Sequence, residues 1–140
     1  MTLPNKNKLI FNFNQCSSWE EKYLYIIELG EKIPIISSDL RHSKNMIAGC
    51  QSQVWIKITP NPDSTVVFEG DSNSVIVKGL IAIIFILYQN LSMSDIIILD
   101  IKYWFNQLSL TQHITPTRSQ GIEAVIKSIH RSIKILSKNT

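Results

Sequence analysis

Only a few residues in this 140-residue chain are of types that could do chemistry. There are two cysteines, Cys16 and Cys50, and three histidines, His42, His113 and His130. None approaches a ligand spacing such as C-x₂-C or H-x₃-H, so a structural metal site is not expected. An iron–sulfur cluster held by one chain normally takes about four thiolates, and two are present. There is no P-loop and no dinucleotide fingerprint. Asp95 and Asp100 are candidates for paired carboxylates, but helix caps and solvated surface positions account for them better.

Cys50 stands out by context. In "AGCQSQVW", residues 48–55, a glycine precedes the thiol and the polar run Gln51, Ser52, Gln53 follows it. A free cysteine is most often a small, inert core hydrophobe, and that reading stays open here. Against it, Gly49 lets the backbone bend so that the thiol sits at a tip, just where a loop becomes a strand. Ile47, Val54 and Trp55 are the apolar neighbours that would shelter it. Reactivity would need a cation or backbone donors to favour the thiolate, which is the nucleophile. Cys16 ends an amphipathic segment and reads as structural. His113 and Arg118 lie in "TQHITPTRSQG", just before and within the start of a C-terminal helix. Arg118 is misplaced there relative to the helix dipole, which favours anions at that end, and this hints at a carboxylate, backbone or partner contact.

The elements that must position these residues follow from periodicity. A short helix over Leu9–Cys16 puts Leu9, Phe13 and Cys16 near one face. Ser18 with Glu21 forms a capping box for a helix carrying Trp19, Tyr23, Ile26 and Ile27, with Gly30 as its stop. Residues 31–49 show no sustained period and read as a long loop, a feature often tied to function. Val54, Ile56 and Ile58 alternate with Trp55, Lys57 and Thr59, which predicts a strand. "PNPDS" at 60–64 is a turn and "TVVFE" at 65–69 the antiparallel return, broken by "GDSN". The apolar run 74–89 predicts a buried helix with a short third strand before it. Ser92 and Asp95 cap a brief helix ending near Leu99, and "KYWFNQL" adds a turn or two. Thr115 and Pro116 form an N-cap and N1 pair for a long helix. Ile122, Val125, Ile126, Ile129, Ile133 and Leu136 line one of its faces. The whole reads as α+β, one domain over residues 1–140, with a small antiparallel sheet and helices packed over it.

Composition bounds the function. Hydrophobic residues make up 44% and charged residues 18%, which favours a globular fold. The net charge of +3, from 14 Lys+Arg against 11 Asp+Glu, is too small and too scattered to imply a nucleic-acid partner. Val75–Tyr88 is interrupted by Lys78 and Gly79 and is shorter than the roughly 18 residues a membrane span needs. The first residues lack an apolar signal region. A cytoplasmic location with reduced thiols is the expectation, and nothing demands a Cys16–Cys50 disulfide.

Four stretches together, "SWEEKYLYIIELGEKIP", "NMIAGCQSQVW", "GDSNSVIVKGLIAIIFILY" and "LTQHITPTRSQGIEA", resemble the SufE sulfur-acceptor proteins of iron–sulfur cluster assembly. The resemblance runs from about Lys8 to Lys134, and the relative CsdE shares the same type of motif. It implies a fold like the IscU-type scaffolds, with a three-stranded antiparallel sheet and flanking helices. It implies that Cys50 takes sulfane sulfur, as a persulfide, from a PLP-dependent cysteine desulfurase of the SufS type, stimulates its turnover, and passes sulfur to SufB of the SufBCD scaffold. PLP would belong to that partner, since no site for it is evident here. Gly49, Gln51, Ser52, His113 and Arg118 would support Cys50 or contact the partner, and Cys16 matches no catalytic motif. A homodimer is implied, with an activator of a desulfurase rather than a stand-alone enzyme. The competing readings are a CsdE-like acceptor for a different desulfurase, a cysteine hydrolase using Cys50 and His113, and a structural activator that carries no sulfur.

Overall fold

A computed structural model describes residues 2–139. The described residues form six α-helices and a two-stranded antiparallel sheet. The helices are α1 (Lys6–Gln15), α2 (Trp19–Glu31), α3 (Val75–Tyr88), α4 (Met93–Ile98), α5 (Ile101–Gln107) and α6 (Pro116–Lys138), and the strands are β1 (Val54–Pro60) and β2 (Val66–Ser72). The fold class is therefore α+β, as the sequence pattern implies.

Local chemistry sets most of the boundaries. Asn5, Ser18, Ser74, Ser92, Asp100 and Thr115 each accept a backbone N–H in the first turn of the helix that follows. Pro116 opens α6, where its missing N–H costs nothing. Asp100 is thus the cap of α5, accepting from Tyr103 N at 3.3 Å, and Asp95 lies in the first turn of α4.

α3 is the axis of the core. Every residue from Gly79 to Tyr88 is buried, an all-round apolar helix wrapped by the rest of the chain. Phe68 of β2 stacks on Phe85 and Tyr88, with centroids 5.0 and 5.9 Å apart. From α6, Ile122, Val125, Ile129 and Ile133 are buried, while Ile126 and Leu136 pack on the core half-exposed. Against α2 the contact is backbone on backbone. A Cβ on Gly79 would fall 2.2 Å from the Ile26 carbonyl oxygen, and one on Gly30 2.8 Å from Gly79 N.

Three expectations need correction. Gly30 does not stop α2, which runs on to Glu31; it is buried inside the helix because α3 needs that space. "GDS" does not break the return strand, since Gly70, Asp71 and Ser72 pair with Ile56, Trp55 and Val54. The sheet has two strands rather than three among the described residues. There is no room for a third strand before α3, because β2 runs to Ser72 and Ser74 already caps the helix that starts at Val75. What stands beside β1 is a lone bridge, Met46 to Trp55, with Ile47 N donating to Val54 O at 2.9 Å. A one-residue ladder is what a stretch entering the Gly49 turn can sustain before it must leave the sheet.

Candidate functional site

The connection between α2 and β1, residues 32–53, carries Cys50, and two buried carboxylates of β2 hold its first part. Glu69 and Asp71 sit two residues apart on the strand and so share a face. Both are nearly inaccessible, at 3% and 6%. Glu69 accepts from the amides of Ile36, at 2.8 Å, and Ser37, and from the Ser37 hydroxyl, at 2.8 Å. Asp71 accepts from Arg41 Nε at 2.8 Å and pairs with Lys78 of α3 at 3.3 Å. The Arg41 guanidinium also lies 4.6 Å over the Trp55 ring. Burial pushes both carboxyls upward in pKa. For Glu69 the Ser37 and Ile36 donors and Lys57 outweigh that, and for Asp71 Arg41, the Ser72 amide and Lys78 do, so both end below the ordinary carboxylate range. Leu40, 2% exposed, anchors the same stretch in the interior.

Beyond Ile47 the chain turns. Gly49 has φ +91°, a left-handed conformation that favours glycine, and a Cβ there would sit 3.3 Å from that of Ala124 on α6. This places Cys50 against α6. The thiol is half-buried and donates to the carbonyl oxygen of Gly121 at 3.5 Å. It borders a small cavity of about 70 Å³, lined by Cys50, Gln51, Ser52, Val77, Thr115, Thr117, Arg118, Gly121, Ile122 and Val125. By volume this holds an atom or small group beyond the thiol itself, since a water needs about 10–15 Å³ on the same measure.

The structure therefore brings together Cys50, Gln51, Ser52 and Arg118, with Gly49 alongside. It does not bring in His113. That ring lies outside the cavity lining and stacks flat on Trp19 of α2, 3.9 Å between centroids. His42 caps the turn at Ser43–Asn45, and the His130 ring nitrogen lies 3.3 Å from the Tyr88 hydroxyl. Cys16, the residue that caps the end of α1, donates to Asn12 O at 3.4 Å. The expected shelter is relocated too. None of Ile47, Val54 and Trp55 lines the cavity; its apolar wall is Val77, Ile122 and Val125.

The electrostatics of the thiol also differ from what a resting nucleophile requires. Burial raises the Cys50 pKa, so the thiol in this position is held neutral. Arg118, half-buried in the first turn of α6, is the only charged residue of the lining, and it has no ion-pair partner among the described residues.

Sequence reasoning missed several of these positions. Glu69, Asp71 and Arg41 had a visible signal, since two carboxylates at i and i+2 in an apolar strand call for partners. Gly121 had one as well, a glycine in the interior of a helix pattern. Val77, Ile122 and Val125 had none, because a cavity wall and a core face have the same periodicity.

No helix among the described residues is long and apolar enough to cross a membrane. A solved structure of a hypothetical protein from Thermus thermophilus shares this fold, with a TM-score of 0.75 over 96% of this chain and 96% of that one. The two are 15% identical, so the likeness concerns the fold alone. The family model described as "SufE: Fe-S metabolism associated domain" matches residues 7–133 of the 140. The chain that places a single half-buried thiol against Gly121 belongs to the SufE family, whose domain is associated with Fe–S metabolism.

Proposed function

We propose that the protein is a sulfur acceptor and carrier in iron–sulfur cluster assembly, with Cys50 as the carrying atom. The observation that supports this most directly is the placement of Cys50. One thiol, on a short turn, faces a cavity with an apolar wall and room for one more sulfur. The donor is a PLP-dependent cysteine desulfurase, which keeps the PLP; the receiver is a cluster scaffold of the SufB type.

The step is a thiol–persulfide exchange. The Cys50 thiolate attacks the outer sulfur of the donor's Cys–S–SH. A new S–S bond forms at Cys50 Sγ, the donor's S–S bond breaks, and its electron pair leaves with the donor cysteine as a thiolate. No oxidant is consumed. The closed state supplies little thiolate, because burial favours the neutral form. Uptake therefore follows movement of Cys50 out of its cavity into the partner's site, where the thiol is ionised as it attacks.

Incubation with a cysteine desulfurase and cysteine, followed by intact-mass measurement, is expected to show one added sulfur, ~32 Da, mapped to Cys50. The adduct is expected to vanish in Cys50→Ser and to persist in Cys16→Ser. An adduct that survives Cys50→Ser would overturn the assignment. A wild-type chain that accelerates sulfide release without gaining mass would point instead to a purely structural activator.

A further inference from the structure

Residues 48–52 form a tip between two fixed stems. On the leading side Ile47 N donates to Val54 O at 2.9 Å. On the trailing side Gln53 is held four ways: its amide donates to Asn73 Oδ1 at 3.0 Å, its carbonyl accepts from the Ser72 hydroxyl at 2.7 Å and the Asn73 amide at 3.3 Å, and its side-chain oxygen accepts from Asn73 Nδ2 at 3.4 Å. Between these pins, one hydrogen bond among the described residues ties the tip to another element, the Cys50 thiol to Gly121 O. That bond requires a proton on sulfur.

We propose that the charge of the carried sulfur operates the shelter: the neutral Cys50 thiol latches the 48–52 tip onto the Gly121 carbonyl, and the persulfide anion releases it. This rests on the sulfur-carrier reading of Cys50. A hydropersulfide is a stronger acid than a thiol, because its negative charge is shared with a second sulfur. Once the new S–S bond has formed and the terminal S–H has given its proton to water, Cys50 has no hydrogen to donate. Its sulfurs then present lone pairs to the Gly121 carbonyl oxygen, a repulsive contact in a poorly solvated place. The cavity has space for the added atom, so the opening is electrostatic rather than steric. Arg118, the one cation of the lining and without an ion-pair partner among the described residues, favours the charged form of the persulfide and so the loss of the proton that the latch needs. The stems stay in place, so the swing is confined to five residues, with Gly49 as its turning point. An empty carrier is thus closed before docking, and a loaded one is already open toward its receiver.

The test compares four forms of the full chain by backbone ¹⁵N relaxation and the Gly121 ¹³C carbonyl shift. They are the free thiol, the persulfide, Cys50→Ser, which keeps a neutral donor, and Cys50→Asp, which carries a fixed anion. The persulfide is made with inorganic polysulfide, whose terminal S–S bond the thiolate cleaves, and is verified by mass; loading therefore does not depend on a partner. Amide order parameters at 48–52 are expected near 0.85 in the thiol and serine forms and below about 0.6 in the persulfide and aspartate forms. The Gly121 carbonyl shift is expected to move with them, while α3 amides stay unchanged. A verified persulfide with the thiol's order parameters overturns the latch, as does Cys50→Ser behaving like Cys50→Asp. Failure of a desulfurase to load Cys50 at all would bear on the carrier reading instead.

Discussion

Glycine does opposite work at two places in this fold. Where α2 meets α3, Gly30 and Gly79 let two backbones touch, and a Cβ on Gly79 would lie 2.2 Å from the Ile26 carbonyl. Where the Cys50 tip meets α6, the nearest atom to a Cβ on Gly121 would be Cys50 Sγ at 3.8 Å, ordinary contact distance. The first contact is closed to any added atom and sits in the core. The second has slack, is held by one sulfur hydrogen bond, and opens onto a cavity. The tight contact is thus in the core, and the slack one is beside the thiol proposed to carry sulfur. Between the two lies the base of the loop, residues 34–47, which the Glu69 and Asp71 carboxylates bind to the sheet.

The largest effect should come from breaking the tight contact. In Gly79→Ala the new methyl meets backbone rather than a side chain that could rotate away, so α2 and α3 must separate along the axis of the core. A loss of at least about 3 kcal/mol is expected, seen as a collapse of the urea midpoint or as failure to purify folded chain. A near-neutral Gly79→Ala would mean that the helices yield easily, and the contrast would fail at its rigid end.

Next come the buried carboxylates. Glu69→Gln keeps the shape and one oxygen for the Ile36 and Ser37 amides, but it removes the charge and turns an NH2 onto the Ser37 hydroxyl, and should cost about 2 kcal/mol, the scale of hydrogen bonds to a charged group. The acid response gives the sign independently. Both carboxyls have folded-state pKa values below the unfolded ones, so their stabilisation is fully present above about pH 4–5 and is lost as pH falls through the folded values. Urea midpoints should therefore fall steeply from pH 5 downward in the wild type. The fall should be shallower in the double variant Glu69→Gln, Asp71→Asn. Equal slopes would show that these two groups do not set the acid limit.

How much of this could be read beforehand depends on whether a residue's role shows in its neighbours along the chain. The caps Ser18, Ser92 and Thr115 did show, because an N-cap and the amide it accepts are three residues apart. The buried α3 showed through continuous hydrophobicity, and Cys50 became a candidate through its polar context and the family resemblance. Gly30 misled, since a glycine near a helix end signals a stop unless the helix packed against it is known. The same blindness hid the Asp71–Arg41 pair, thirty residues apart in sequence, and turned "GDS" into a break rather than the end of a strand. His113 looked like a partner for Cys50 by residue type, but the fold spends it on Trp19. The apolar lining from α6 and α3, Val77, Ile122 and Val125, was invisible because it exists only once three distant segments meet.

A smaller effect belongs to the tip's own turn. Gly49→Ala forces an L-residue to φ +91° and brings a methyl within 3.3 Å of Ala124 Cβ, at a cost of about 1–2 kcal/mol. Because the strain is confined to residues 48–52, the urea midpoint should shift little if the tip simply opens, while Cys50 becomes more reactive. Alkylation by iodoacetamide at fixed pH should then accelerate severalfold. A slower reaction would mean that the closed tip tolerates alanine and that Gly49 is not its turning point.

The smallest effect sharpens the comparison most, because it has the opposite sign to the largest. Gly121 occupies the interior of α6 in an unstrained helical conformation, and its missing side chain leaves a gap that a methyl would fill at ordinary contact distance from Cys50. Gly121→Ala should therefore stabilise the protein by up to about 1 kcal/mol through helix propensity and a less free unfolded chain. That corresponds to a rise of about 4 °C in Tm for a chain of this size. The backbone carbonyl that receives the thiol is unchanged, so Cys50 should still load with sulfur, more slowly only to the extent that the methyl damps the tip's movement. If Gly121→Ala proves as destabilising as Gly79→Ala, the tip is packed as tightly as the helix pair, and Cys50 would have to reach its donor by local unfolding of α6 rather than by the swing of five residues.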